Sequence, residues 1–279
     1  MKLNTFKSIA LMLFVICVTS CKQNIETNPT SNVGKSLYEM LMSKNMTPDG
    51  NITLIASSMS SHALPAQLDV EGWFKDKKGK IVSAEQVQVN TFDIGTQANF
   101  RYSRHFSTSN DLREKEFESI TANLFGSTVK FKVNSAAFGN VEANMYSPLV
   151  VKMDLSSIQN NIVLKKTGIS IKWNPDKGRA LLRDGYEPQM GAAAVYQAGI
   201  YSNNSQAGMP TQNITATHFT NDSNGQITFT PEDLANFPTG GYIVIFLGRA
   251  EQTIVTTSTG QSLAITSLAS CASQELLMQ

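Results

Sequence analysis

The sequence predicts a mainly β protein, built as two antiparallel β-sandwich domains behind a flexible tether. Three observations point there. Apolar and polar residues alternate with a period of two along much of the chain, which is the pattern of a half-buried strand. A polar interval after Leu155 (Ser156, Ser157, Gln159, Asn160, Asn161) separates an earlier strand series from a later one, and 279 residues suit two domains of ordinary size. Residues 22–36 are rich in Asn, Thr and Ser around Pro29, a composition that buries little. The expected division is an apolar leader over 1–20, a tether with a short helix over 21–48, one sandwich over 49–157 and another over 158–279.

The leader opens with Lys2 and Lys7 and continues as an apolar run from Ile9 to Val18. That run is shorter than the ~20 residues of a membrane-spanning helix and reads as an export signal. It closes on Val18-Thr19-Ser20-Cys21: an aliphatic residue, two small ones and a cysteine. This resembles the lipobox of bacterial lipoproteins, where small residues fit a peptidase cleft and the thiol takes a diacylglyceryl group. The resemblance implies lipidation at Cys21 and a membrane partner held through that lipid. Each buried methylene contributes ~0.8 kcal/mol and stable anchoring takes more than one chain, which a triacylated cysteine supplies. Lys22 stands where some lipoproteins retained at the inner membrane carry Asp, so the similarity favours the outer membrane, with the periplasmic and extracellular faces both open. An ordinary cleaved signal with an incidental cysteine is the alternative.

The leader holds two of the 23 Lys and Arg and none of the 22 Asp and Glu, so the remainder is 21 against 22. A neutral balance argues against nucleic-acid partners. Of three cysteines, Cys17 leaves with the leader and Cys21 takes lipid. Cys271 is then alone, a small core residue in the apolar stretch around Leu268, and no internal disulfide is expected.

Leu37, Met40 and Leu41 repeat at helical spacing and stop before Pro48, Asp49 and Gly50. Beyond them Leu68 and Val70, then Val87 and Val89, then Val129, Phe131 and Val133 alternate with polar neighbours. Lys75-Asp76-Lys77-Lys78-Gly79-Lys80 suits a solvated hairpin tip between the first two of these strands. Between Asp111 and Ile120 a helix with a charged face (Glu114, Lys115, Glu116, Glu118) is expected. In the second half Ile169, Ile171 and Trp173 alternate, and Thr230-Pro231-Glu232-Asp233 is a helix start with Thr230 as N-cap.

Trp173 near the end of one strand, followed later by Leu234, Pro238, Gly240 and Tyr242 before the run Ile243 to Leu247, resembles fibronectin type III and immunoglobulin-like sandwiches. The resemblance implies that Trp173 plugs the space between sheets and that the Tyr242 hydroxyl bonds back to the chain as a tyrosine corner. In that frame Tyr242, Val244 and Phe246 face the core. Ile243, Ile245 and Leu247 then form an equally apolar second face, to be covered by the chain itself or by a partner.

Chemistry is harder to find. His62, His105 and His218 lie far apart with no metal-ligand spacing, and the serines around His62 lack a nucleophile elbow. Gly34-Lys35-Ser36 lacks the glycine a phosphate loop needs, because Pro29 occupies its place. Asp222, Asn224, Gly225 and Thr228 match four places of a calcium loop, but Thr220 and Pro231 stand where its end carboxylates belong; Asn224-Gly225 reads more simply as a hairpin turn. A carboxylate pair for glycoside hydrolysis could come from anywhere in the fold, and Trp73, Tyr102, Tyr196 and Tyr201 suit a core as well as a sugar. The expectation is a non-enzymatic envelope or surface protein that needs no cofactor. Its role would be binding a protein or glycan, adhesion or assembly, with a hydrolase as the alternative. The layout also resembles lipoprotein pilins. Those are commonly cleaved after an early Arg, and none occurs here between Cys21 and Phe100.

Overall fold

The computed structural model describes residues 47–61, 64–65, 67–107, 114–182, 185, 187–196 and 212–279. The leader, Cys21, the tether helix, His62 and Tyr201 lie outside the described residues. The chain is mainly β. Its first part forms β1 (Gly50–Met59), β2 (Gln67–Lys75), β3 (Ile81–Val82), β4 (Gln86–Val89), β5 (Phe92–Asp93), β6 (Tyr102–Phe106), α1 (Glu114–Leu124), β7 (Ser127–Asn134) and β8 (Val141–Ser147). Next come β9 (Met153–Asp154), β10 (Ile162–Val163), β11 (Ile169–Trp173), α2 (Lys177–Ala180) and β12 (Gln189–Tyr196). The last part holds β13 (Ile214–Asn221), β14 (Gln226–Phe229), α3 (Pro231–Leu234), β15 (Tyr242–Thr256), β16 (Ser262–Ala272) and β17 (Leu276–Met278).

The principal sheet is organised on the β15–β16 hairpin, paired from Thr256↔Ser262 to Phe246↔Ala272. On the β16 side β1 runs parallel, from Gly50↔Leu263 to Met59↔Ala272, and β2 follows antiparallel. On the β15 side lie β12 and then β13. The expected division at residue 157 therefore does not separate the sheet, because β1 lies before it and β16 after it. Parallel strands occur where both faces are covered; β16 is buried on both faces for nearly its whole length, and β1 is buried on one face and half-buried at Asn51, Ile55 and Ser57 on the other. Alternation alone could not reveal this pairing, since its partner strands lie at opposite ends of the chain.

The principal sheet also takes in β3 and β6 beside β2, and β17 with β10 beside the start of β15; two smaller sheets, β5-β4-β7-β8 and β14-β11-β9, complete the strand set. Ile52, Leu54 and Ile265 of the principal sheet share one hydrophobic cluster with Val129 and Phe131 of the first small sheet and Ile171, Trp173 and Phe229 of the second. The arrangement is one core drawn from both halves, not two consecutive sandwiches.

Local expectations fare unevenly. The tip at residues 75–80 does join a hairpin, with the Asp76 carboxylate accepting from the Lys78 and Lys80 amides. Its return strand is β3, however, and β4 leaves to pair β7. The helix α1 begins within the expected stretch and runs four residues further; Phe117, Thr121 and Leu124 are buried while Glu114, Lys115, Glu116 and Glu118 stay exposed. The N-cap at Thr230 is present in full: its hydroxyl accepts from the Asp233 amide, and Asp233 accepts from the Thr230 amide at 2.7 Å. Asn224-Gly225 is not a hairpin turn. The chain there passes from β13, paired with β12, to β14, paired with β11, through a 3-10 turn (Asp222–Asn224) that ends on Gly225 at φ 65°, a left-handed conformation that glycine adopts without strain.

Candidate functional site

The densest polar constellation lies where that crossing meets β15. Asp222 is fully buried, as is Arg249, and each is placed by backbone geometry. On β15 the apolar residues Ile243, Ile245 and Leu247 point into the core, and the same alternation continues inward to Arg249 and Glu251. Arg179 comes from α2, which Asp176 caps by accepting from the Gly178 amide at 3.1 Å.

Asp222 Oδ2 accepts from Arg179 Nη1 at 3.1 Å and from Arg249 Nη1 at 3.2 Å. Arg179 also donates through Nε to Glu251 Oε1 at 2.8 Å and through Nη2 to the Ala250 carbonyl at 2.9 Å. Arg249 Nη2 donates to the Asn174 carbonyl at 2.7 Å, while its Nε has no hydrogen-bond partner among the described residues. Trp173 Nε1 donates to Asp222 Oδ1 at 3.0 Å and to its carbonyl at 3.1 Å. Asp176 accepts from the Tyr146 hydroxyl at 2.8 Å and from the Leu149 amide at 2.6 Å. Gly178 makes room for this contact: a Cβ there would lie 2.2 Å from the Tyr146 hydroxyl oxygen.

Burial pulls Arg249 down to about 10, against the supporting charges of Asp222 and Asp176, so it remains a cation at neutral pH. Burial, then the bond to Asp176, holds the Tyr146 phenol above its ordinary value. Two guanidinium groups thus meet three carboxylates out of contact with solvent. The cluster fastens α2 and the β13–β14 crossing to β15. It also uses up Asp222, which was weighed above as a calcium ligand, while Asn224 Nδ2 donates to Thr220 Oγ1 at 2.7 Å.

The residues singled out in the sequence are placed differently from the sandwich expectation. Trp173 is buried, but on β11 of a small sheet, whereas Tyr242 is on β15 of the principal sheet. The Tyr242 hydroxyl bonds to no described residue, so it makes no corner; the pinned tyrosine is Tyr102, whose hydroxyl donates to the Ala84 carbonyl at 2.9 Å and accepts from the Ala84 amide at 2.6 Å. The two faces of residues 242–247 are also exchanged. Ile243, Ile245 and Leu247 are the core face, fully buried, which removes them as an interface. Val244 and Phe246 join Ala193, Val195 and Ala272 in a smaller cluster on the opposite side, with Tyr242 packed against it.

Surface chemistry is sparse. His105 Nδ1 lies 2.7 Å from Asp69 Oδ1, and His218 Nε2 lies 3.0 Å from Asp233 Oδ2 without hydrogen-bond alignment. Burial, with Asp69 two residues away on the same strand, raises the Glu71 carboxyl above its ordinary range. Of the aromatics weighed as sugar platforms, Tyr102 and Tyr196 are buried, and Trp73 carries Lys75 Nζ at 4.9 Å from its ring centroid. An open polar cleft of about 590 Å³ lies between Glu85, Asn134, Asn140, Ser258 and Thr259. A second, of about 400 Å³, lies beside Ile158, Asn160, Thr167 and Gln279. No group of His, Cys, Asp or Glu among the described residues is arranged to hold a metal ion, and no described helix is long and apolar enough to cross a membrane.

Compared with known proteins, the chain matches no protein-family model and no curated protein sequence.

Proposed function

We propose that the chain is a lipid-anchored protein of the bacterial outer membrane that acts as a binding, adhesion or assembly module rather than as an enzyme. The observation that carries this reading is Val18-Thr19-Ser20-Cys21 behind a basic and apolar leader. Supporting the non-catalytic part, the carboxylates gathered most closely, Asp176, Asp222 and Glu251, are buried and engaged by Arg179 and Arg249. A general acid or base must reach the proton it transfers, and these carboxylates are held by Arg179, Arg249, Trp173, Tyr146 and backbone amides of the chain itself. The first cleft presents the amides and hydroxyls of Asn134, Asn140, Ser258 and Thr259, and the second mixes such groups with Ile158, Ile162 and Leu164, a mixture that suits recognition of a protein or glycan surface.

The test is metabolic labelling with a fatty acid, followed by fractionation. Labelling and membrane retention of the natural chain, both lost in Cys21→Ser with its melting curve unchanged, is the expected result. Retention of the Ser variant through a high-salt wash would overturn the anchoring reading. Turnover of a glycoside or ester substrate by the purified chain would overturn the non-enzymatic one.

A further inference from the structure

The principal sheet ends, on the β13 side, in an edge that lacks the usual protections. β13 has eight residues, holds one-to-one register with β12 from Gln189↔Asn221 to Tyr196↔Ile214, and pairs no other described strand. An edge strand presents a row of unpaired N–H and C=O groups, and natural proteins blunt it by shortness, charge, proline or a bulge. The other described edges are blunted. β3, β5, β9 and β10 have two residues each, and β14 has four. β6 carries Arg104 and His105, and β8 carries Glu142. β13 reads Ile-Thr-Ala-Thr-His-Phe-Thr-Asn, with no Lys, Arg, Asp, Glu, Pro or Gly and no bulge. Its single titratable side chain, His218, is already beside Asp233.

The two faces of β13 differ. Ile214 and Ala216 pack on the main core, whereas Phe219, on the other face with Thr215 and Thr217, is 39% exposed. Resting on the anchoring reading, we propose that β13 is a self-association edge, pairing antiparallel with β13 of a second copy about a twofold axis normal to the sheet. Such an axis keeps each face on its own side, so opposed residues must share parity. Centring on Thr217 opposes Phe219 to Thr215, Ile214 to Thr220 and Ala216 to His218. An aromatic then meets a β-branched residue, a favourable cross-strand pair, and no charge meets a like charge. A foreign strand would have to be selected by charge or by pockets, and β13 offers no charged group to select one. The identical strand fits without selection. Seven paired residues from each copy make a contact well below a standard interface, so association is weak in dilute solution. Confinement on a membrane through lipidated Cys21 raises the effective concentration and makes it productive.

The experiment uses the full lipidated chain in phospholipid vesicles at rising surface density, with dimer fraction read by energy transfer between labelled copies. Self-association that grows with density is expected, and Thr217→Lys should lower the dimer fraction about tenfold with an unchanged melting midpoint. Thr217→Cys should trap a disulfide dimer under mild oxidation, whereas Thr215→Cys, opposed to residue 219, should not. A vesicle-bound natural chain that stays monomeric at the highest density, a Lys variant that associates as the natural chain does, or equal trapping at 215 and 217 would each overturn the proposal. Vesicle flotation reads the anchor separately. A chain that leaves the vesicles fails the anchoring reading, and its edge is then tested free in concentrated solution by the same variants.

Discussion

Arg249 and Asp222 are joined at 3.2 Å, both wholly removed from solvent, across 27 residues of chain. Removing one partner leaves the other as an uncompensated buried charge, which typically costs about 3–5 kcal/mol. Asp222→Ala should therefore lower the free energy of unfolding by that amount in urea titration. A loss below about 1 kcal/mol would show that water already reaches the pair.

Tyrosine hydroxyls give a paired test. Tyr102→Phe leaves the buried Ala84 amide and carbonyl without their partner and should cost about 1–3 kcal/mol. Tyr242→Phe should leave the melting midpoint unchanged, since its hydroxyl holds no described group.

Ile245 is fully buried between Ile243 and Leu247 on the core face. Ile245→Asp should cost more than about 4 kcal/mol and abolish cooperative unfolding. Recovery of a folded monomer would return this face to the status of an interface.

Thr230→Ala removes one half of a reciprocal cap on a four-residue helix and should cost about 1 kcal/mol, measured as a shift in the urea midpoint with the slope unchanged.

Cys271 is buried, and burial pushes its thiol up from 9.0 to about 12. The unfolded chain thus ionises first as pH rises. The stability linked to this group is full below pH 9.0, falls as pH climbs toward about 12, and is lost beyond. Alkylation of Cys271 in the folded chain at pH 8 should therefore be slow and accelerate on adding urea. Equal rates in the two conditions would show an open thiol.

How far the sequence could be read depends on the range of the interactions concerned. Strands with one buried face, such as Val129, Phe131 and Val133 against Lys130 and Lys132, announce themselves by alternation, and the Thr230 cap is written in four consecutive residues. Pairing is not local. Nothing near Gly50 indicates Leu263, and the parallel match of β1 to β16 is what merges the expected domains. Alternation also left two choices for which face of residues 242–247 turns inward, and the resemblance to a tyrosine corner selected the wrong one. The buried cluster was partly visible: Arg249 and Glu251 interrupt an apolar strand at core parity, a signal of paired buried charge. Asp222 was hidden because a polar Asp-Ser-Asn-Gly stretch looks like a solvated turn.

The union of β1 with β16 also constrains how the protein is made. Asp49 and Ser262, 213 residues apart, bond at the start of this pairing. As the chain emerges from its N-terminal end, β1 and β2 can form a hairpin early, but one side of β1 stays open until nearly the whole chain has been delivered. Closure of the central sheet is thus among the last events and among the slowest, because a long loop must be gathered before its contacts reward it. Until then the open side of β1 is a template for stray strands, and a truncation that removes β16 should yield aggregate rather than a smaller folded protein.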